Sequence, residues 1–432
     1  MQILIGDGKM LTSIVGINWG DEGKGRMVDL LSSNYDVVVR YQGGNNAGHT
    51  VINEKGKFIL NLLPSGILRE EVVNVMGNGM VIDVKHLAGE IQRLVDAGVK
   101  VSPENLKISD KAIICMPYNV LQDQMEEARL KDKKFGSTLR GIAPIYGDKY
   151  LKKALRMGEL KNFDLMKERL KGIVEWKNLT VEGAYGHEPV SYEDMVKYLE
   201  DYALLFKDYV CDTSLFLDKC AKEDKKIMFE AQLGALRDID FGIYPYTSSS
   251  STIAAYAPIG AGIPNHKIDN SIGIMKAYST CVGEGPFTAE YFGEKAEALR
   301  KAGGEYGAAT GRPRRVGPFD VVASKYGCRM QGATEIAVTK LDVLTGMDEI
   351  EICVAYELDG EIINEFPFSQ DLDRCKPVFE KVKGWKEDIS NCRKKEDLPE
   401  NARLYIEKLE ELTGYKVTYV SVGPSREQYL IF

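Results

Sequence analysis

Residues 16–26 read Gly-Ile-Asn-Trp-Gly-Asp-Glu-Gly-Lys-Gly-Arg, between an apolar run at 11–17 and an amphipathic run at 24–32. The spacing predicts a buried strand that feeds a helix through a glycine-rich turn. Such a turn leaves backbone N–H groups facing outward at a helix N-terminus, which suits a bound anion, and Lys24 adds charge that neutralises phosphate. The logic is that of a phosphate loop, but the sequence is not the Walker pattern. Asn18 stands where that pattern has a glycine, and Gly25 where it has the Ser/Thr that holds magnesium. Asp21 and Glu22 constrain the chemistry further, since carboxylates repel phosphate unless one of them binds a metal or acts as a base.

A second polar, glycine-rich segment, Arg40-Tyr-Gln-Gly-Gly-Asn-Asn-Ala-Gly-His-Thr50, follows a predicted strand at 36–40. Loops at strand ends of α/β sheets are preferred ligand sites, so the two segments are expected to meet. His49, set among Asn46, Gly48 and Thr50, is the candidate acid or donor.

Elsewhere β-rich apolar runs alternate with helical patterns, which argues an α/β fold with a mostly parallel central sheet. Asp83 is placed to cap a helix that buries Val84, Leu87, Ile91, Leu94 and Val95 and stops at Gly98. Another is expected from Asp397, with Pro399 and Glu400 in its first turn, ending at Gly414. Further strands are expected at 226–229, 272–277, 335–339, 350–356 and 417–422. The expectation is a single domain over 1–432 with a helical insertion at roughly 118–220.

Composition narrows the function classes. Lys plus Arg number 56 against 64 Asp plus Glu, a net charge of −8 with both signs mixed along the chain, which argues against nucleic-acid or anionic-membrane partners. The most apolar stretch, 253–264, is too short and too broken by Gly and Pro to span a bilayer, and no secretory signal is visible, so a cytoplasmic location is expected. The eight Cys include no C-x-x-C pair and the four His are scattered, so neither a disulfide framework nor a zinc site is suggested.

The segments WGDEGKG and NAGHT resemble those of the adenylosuccinate synthetase family. The likeness continues through PSGIL (64–68), GNG (77–79), DID-x-G-x-YPY (238–246), KAYST (276–280), TGRPRR (310–315), TKLDVL (339–344) and GP-x-R (423–426). It implies a ligase that uses GTP and Mg²⁺ to activate the 6-oxygen of IMP as a phosphate ester, which the amino group of L-aspartate displaces. By this resemblance Asp21 draws the N1 proton and ligates Mg²⁺ with the carbonyl of Gly48, and His49 donates to the transferring phosphoryl group. Lys24 and the 22–26 amides hold GTP phosphates. The GTP set implied is Gly20, Glu22, Gly23, Lys24, Gly25, Arg26, Gly48, Thr50, Arg314, Lys340, Asp342, Ser421 and Gly423. In it Asp342 accepts the paired N–H donors of guanine and Lys340 packs its stem on the ring. Thr310, Gly311, Arg312 and Arg314 surround aspartate, because arginine forks match carboxylates. Asn46, Thr138, Lys152, Gln232, Thr247, Ser248 and Arg312 are the IMP set. A homodimer is implied as well, Lys152 aligning with an arginine that reaches the partner subunit's IMP.

Departures from the family pattern cluster on the acceptor nucleotide. Leu139 and Ala143 replace glycines, Lys152 and Cys281 replace arginines, Arg26 replaces a lysine and Asn45 a histidine. The family run FEGAQG becomes Phe229-Glu-Ala-Gln-Leu-Gly234, which puts Leu233 where the base-contacting glutamine stands and Gln232 one residue early. Either the turn is rebuilt to deliver Gln232, or the base is read differently. Alternatives that remain open are a paralogue acting on another 6-oxopurine nucleotide, such as GMP or dGMP, and a GTP-binding regulatory protein without ligation.

Overall fold

Parallel strands are covered on both faces and therefore read as unbroken apolar runs. The runs at 11–16 and 37–40 are buried at every residue. In the computed structural model, which describes residues 10–53, 56–306 and 313–432, they form strands β1 (Leu11–Gly16) and β2 (Val37–Arg40) of a ten-stranded sheet. Its order is Tyr429–Ile431, Val417–Ser421, Glu335–Thr339, Asn270–Lys276, β1, Ile227–Gly234, β2, Val73–Met76, Leu106–Ser109, Val210–Cys211. Every neighbouring pair is parallel except the first, where Tyr429–Ile431 runs back along Val417–Ser421. The C-terminal ends of the parallel strands thus share one edge. The chain leaves β1 toward β2 on one side and later returns past it to Asn270–Lys276 on the other, which opens a crevice at that edge.

Helix α1 (Lys24–Leu31) follows β1 and buries Met27, Val28 and Leu31 against Ile14, Val38, Met228 and Ile272. Helix α2 (Val84–Asp96) starts as its sequence predicts: the Asp83 carboxylate accepts from His86 N–H at 2.9 Å, and Gly98 beyond its end has a φ of 79°.

The 118–220 segment is mostly helical, with α3 (Pro117–Leu130), α4 (Ile142–Leu151) and α5 (Phe163–Gly183). It is not wholly helical, because Val210–Cys211 returns to the edge of the central sheet. Lys177 of α5 and Asp148 of α4 pair at 2.6 Å with both side chains buried. Removing either would strand the other charge, at a cost of about 3–5 kcal/mol, so this pair fixes α4 in place.

The strand expected at 350–356 is present as Glu349–Leu358, in a separate four-stranded sheet where it pairs antiparallel with Lys376–Lys383. One further expectation is corrected. The helix expected from Asp397 spans Glu400–Thr413. Leu398 precedes a proline and is extended, with φ −71° and ψ 143°, so the helix cannot include it. Asp397 instead accepts from the N–H groups of Arg393 and Lys394.

Candidate active site

The turn between β1 and α1 is shaped by three left-handed residues, Gly20 (φ 102°), Asp21 (60°) and Gly23 (97°). Gly23 caps α1 without a side-chain hydrogen bond, so the first amides of the helix are free to meet an anion. The Glu22 carboxylate does not face that anion. It folds back and accepts from the N–H groups of Asn18 (3.1 Å) and Gly20 (2.7 Å) and from Lys24 Nζ (2.7 Å). The Glu22 carboxylate is therefore a brace for the turn, and it orients Lys24.

His49 opens the hairpin that follows the second loop and lies across the first turn of α1. A methyl on Gly25 would sit inside the imidazole, which is the steric reason for a glycine where a phosphate loop of the Walker type has a hydroxyl residue. His49 Nε2 is 2.7 Å from Ser65 Oγ, which donates to Glu230 Oε1 at 2.8 Å, while Ser65 N–H donates to Glu230 Oε2 at 2.8 Å. With Ser65 donating onward, the ring places its proton on Nε2. Desolvation, with the charges of Arg40 and Lys24, pushes His49 down to about 3, so the imidazole is neutral at ordinary pH. Burial raises the Glu230 carboxyl above its usual value, against the opposing pull of Arg40 and Ser65.

Asp21 projects from the turn and pairs with Arg314 Nε at 3.0 Å. The same guanidinium reaches the buried Glu305, Nη1 to Oε2 at 2.8 Å. Glu305 also accepts from Lys340 Nζ at 2.8 Å, and Lys340 donates to Gly303 O at 2.6 Å. Lys340 caps the short turn Leu341–Leu344 that follows the strand Glu335–Thr339, and Asp342 lies in the first part of that turn. Burial raises the Asp342 carboxyl above its usual range. Ser421 ends the neighbouring strand and accepts from Arg26 Nη1 at 2.9 Å, while Arg26 Nη2 donates to Ser425 O at 2.6 Å. Asp29 of α1 clamps the same loop through Arg426 (2.6 Å to Nε). The strand-end residues Lys340, Asp342, Ser421 and Gly423 are thus gathered on the α1 side of the crevice.

The second loop meets the other flank. Tyr146 of α4 accepts from Gly43 N–H at 2.9 Å and donates to Gly79 O at 2.8 Å, which ties to the second loop the helix that Lys152 (φ 61°) ends. A chain of polar contacts runs Ser248 Oγ to Ser250 Oγ (3.1 Å), Ser250 to Gln42 Oε1 (3.0 Å) and Gln42 Nε2 to Gln232 O (2.9 Å). Ser248 is thereby joined to the second loop. The 135–138 segment with Thr138 lies beside Tyr246, whose ring is 6.2 Å from that of Phe135. Thr310, Gly311 and Arg312 lie outside the described residues.

The turn that carries Gln232 and Leu233 sends the two side chains to different loops. Strand Ile227–Gly234 bulges against β1 between the Ile14 and Gly16 pairings, and Leu233 takes a left-handed φ of 59°. Leu233 packs against Gly20, next to Asp21. Gln232 faces the second loop, donating Nε2 to Gly44 O at 2.8 Å, and its Oε1 is buried without a partner. Arg237 brings its guanidinium to 3.2 Å from Cys281 Sγ and donates to the carbonyls of Val282 (2.5 Å) and Glu284 (3.1 Å).

Sequence reasoning missed Ser65, Glu230, Lys276 and Glu305. A signal existed for Glu230 and Lys276, each a charged residue inside a run that otherwise reads as a buried parallel strand. No comparable signal marks Glu305, which lies in an ordinary polar loop.

The profile of the family described as adenylosuccinate synthetase matches residues 13–430. The adenylosuccinate synthetase of Caldanaerobacter subterraneus subsp. tengcongensis is 46% identical over 422 residues, covering 98% of this chain and 99% of that protein. The fully ligated adenylosuccinate synthetase of Plasmodium falciparum superposes with a TM-score of 0.92 at 36% identity, covering 98% of this chain and 100% of the other. A cyanophage S-2L succinoaminodeoxyadenylate synthetase bound to dGMP and dATP shares the fold, with a TM-score of 0.63 at 18% identity, covering 98% and 95% of the two chains. The chain belongs to the adenylosuccinate synthetase family, the GTP-dependent ligases that join aspartate to IMP in purine biosynthesis.

Proposed function

We propose that this chain ligates L-aspartate to C6 of IMP with GTP and Mg²⁺, in two steps carried by Asp21 and His49. The observation behind the reading is the juxtaposition on one helix start: the Asp21 carboxylate at the tip of the turn and the His49 ring seated on Gly25. Asp21 takes the proton from N1 of the purine, which makes the 6-oxygen the nucleophile toward the γ-phosphorus of GTP, and GDP leaves. The Nε2–H of His49, shared with Ser65 in the free protein, turns to the transferring phosphoryl oxygens. The amino group of aspartate then attacks C6 and phosphate departs. The 22–26 amides, Lys24 and Arg314 hold the phosphates of GTP. Thr310, Gly311, Arg312 and Arg314 hold aspartate, and Asn46, Thr138, Lys152, Gln232, Thr247, Ser248 and Arg312 hold IMP.

Among the described residues no group of three or more His, Cys, Asp or Glu is arranged to hold a metal. A sparse donor set suits Mg²⁺, which binds through one or two carboxylates plus substrate phosphates rather than in a protein cage. Asp21 and the Gly48 carbonyl are the protein ligands proposed. When bound, the ion supplies charge neutralisation between phosphates. Among the described residues no helix is long and apolar enough to cross a membrane, and the cytoplasm, where nucleotides are made, is the proposed location. A homodimer is proposed because Tyr150 and Leu151, exposed at 76% and 58%, adjoin Lys152 at the end of α4 and leave an apolar surface there.

One observation favours a second reading, in which the acceptor is another 6-oxopurine nucleotide such as GMP or dGMP: Leu233, not Gln232, lies beside the Asp21 turn. Incubation with GTP, Mg²⁺, aspartate and IMP, GMP or dGMP, reading both GDP and the new ultraviolet-absorbing product, separates the two. IMP is expected to be the best acceptor. Gln232→Ala is expected to lower kcat/KM for IMP by about 1–3 kcal/mol through loss of an orienting hydrogen bond. A native preference for GMP or dGMP, unmoved by Gln232→Ala, would establish the second reading.

GTP is expected over ATP. Asp342→Asn keeps the size but sets a donor against the donors of guanine, so GTP should bind roughly 1–3 kcal/mol more weakly. Equal use of ATP and GTP by the native chain would reject this role for Asp342.

A further inference from the structure

Glu305 is a buried carboxylate that the mechanism above leaves without a task, and it stands where four donors meet. Its Oε1 accepts from Lys276 Nζ at 2.9 Å, Lys340 Nζ at 2.8 Å and the Tyr278 hydroxyl at 2.5 Å, and its Oε2 accepts from Arg314 Nη1 at 2.8 Å. The main chain holds the same arginine: Arg314 N–H donates to Glu305 O at 3.0 Å. Arg300 closes the clasp, its O accepting from Glu305 N–H at 2.9 Å and its Nε donating to Arg314 O at 2.8 Å.

Burial alone would raise the Glu305 carboxyl, but Lys276 and Lys340 outweigh it and hold the group well below the carboxylate range. Three cations, Lys276, Lys340 and Arg314, face two carboxylates, Glu305 and Asp21. One positive charge is left over beside the phosphate turn, where an arriving anion balances it. Arg314 is shared in a specific way, Nε on Asp21 and Nη1 on Glu305. Release of the first contact frees the Asp21 carboxylate while the second keeps the guanidinium at the site.

Building on the ligase reading, we infer that Glu305 is a positioning residue for GTP. It holds Lys340 under the guanine pocket and Arg314 beside the phosphate turn as one preformed cationic lining, and it retains Arg314 when the nucleotide draws that side chain off Asp21. Preorganisation of this kind acts on affinity, because the ligand need not order the side chains that bind it.

The test is GTP binding by calorimetry to the full chain, without IMP or aspartate, in the native protein, Glu305→Gln and Glu305→Gln/Lys276→Gln. The double variant returns the cluster to its native net charge, with Lys340 and Arg314 against Asp21. Glu305→Gln is expected to weaken GTP at least tenfold and to leave the Kd for IMP within twofold. The double variant is expected to recover the thermal midpoint and to remain at least tenfold weaker for GTP. If the single variant does not fold, the double variant carries the measurement. GTP affinity within twofold of native in either folded variant means that Glu305 only balances buried charge, and overturns the inference. A native chain that binds no GTP overturns the ligase reading and this inference together, whereas loss confined to the variants supports both.

Discussion

Asp21→Asn is expected to lower kcat for ligation by about 10²–10⁴-fold, the usual worth of a positioned general base, while the fold survives. The residue is suited to so clean a substitution. Asp21 sits at a φ of 60°, and asparagine is among the few non-glycine residues that accept that conformation readily, so the turn has no steric reason to change. The side chain is about a third exposed, and its described ionic partner is Arg314. What disappears is the negative charge that takes the N1 proton. Single-turnover measurement with saturating GTP, IMP and aspartate reads the chemical step directly. Turnover near the native rate in the purified variant would remove Asp21 from the role of base.

The parts of this site that were legible in sequence share a physical cause. The β1–α1 turn could be read because a glycine-rich strand-to-helix connection has few other uses, and the α2 boundaries because Asp83 and Gly98 act locally. The strands of the central sheet were legible because burial on both faces removes polar alternation. The sequence is silent wherever the deciding partner is remote. Nothing near Glu349–Leu358 says which sheet it joins, since an apolar run with partial alternation fits either. Nothing in the sequence shows that the Glu22 carboxylate folds inward onto Asn18, Gly20 and Lys24, which leaves only its amide toward the phosphate side. The Glu305 clasp joins four segments, and the proximity of Arg314 to Asp21 exists only after the strands Asn270–Lys276 and β1 have paired. The register of Gln232 and Leu233 was undecidable from spacing alone, because a β-bulge changes which side chain faces which loop.

Gly25→Ala is expected to reproduce most of the kinetic defect of His49→Ala, although one change adds a methyl to a helix and the other removes an imidazole. Gly25 lies in α1 with no positive φ, so alanine there should help the helix by about 1 kcal/mol on propensity alone. The obstacle is the ring: the new Cβ would occupy the volume of the His49 imidazole, which must then leave its hydrogen bond to Ser65. Loss of one donor to the transferring phosphoryl group costs about 10²–10³-fold in kcat. Both single variants should fall in that range, and the double variant His49→Ala/Gly25→Ala should be no slower than His49→Ala. The double variant should also melt higher than His49→Ala, because the helix then gains alanine and nothing clashes with it. The pH response gives an independent check. His49 is held at about 3, well below its ordinary value, by desolvation and by Arg40 and Lys24. The unfolded chain therefore binds the proton first as pH falls. Native stability owed to the neutral ring is whole above about pH 6.5 and is lost progressively toward pH 3. His49→Ala should show a shallower loss of stability across that interval. Native-like kcat in Gly25→Ala would mean that the ring does not need its seat on α1, and the assignment of His49 to the phosphoryl group would fall with it.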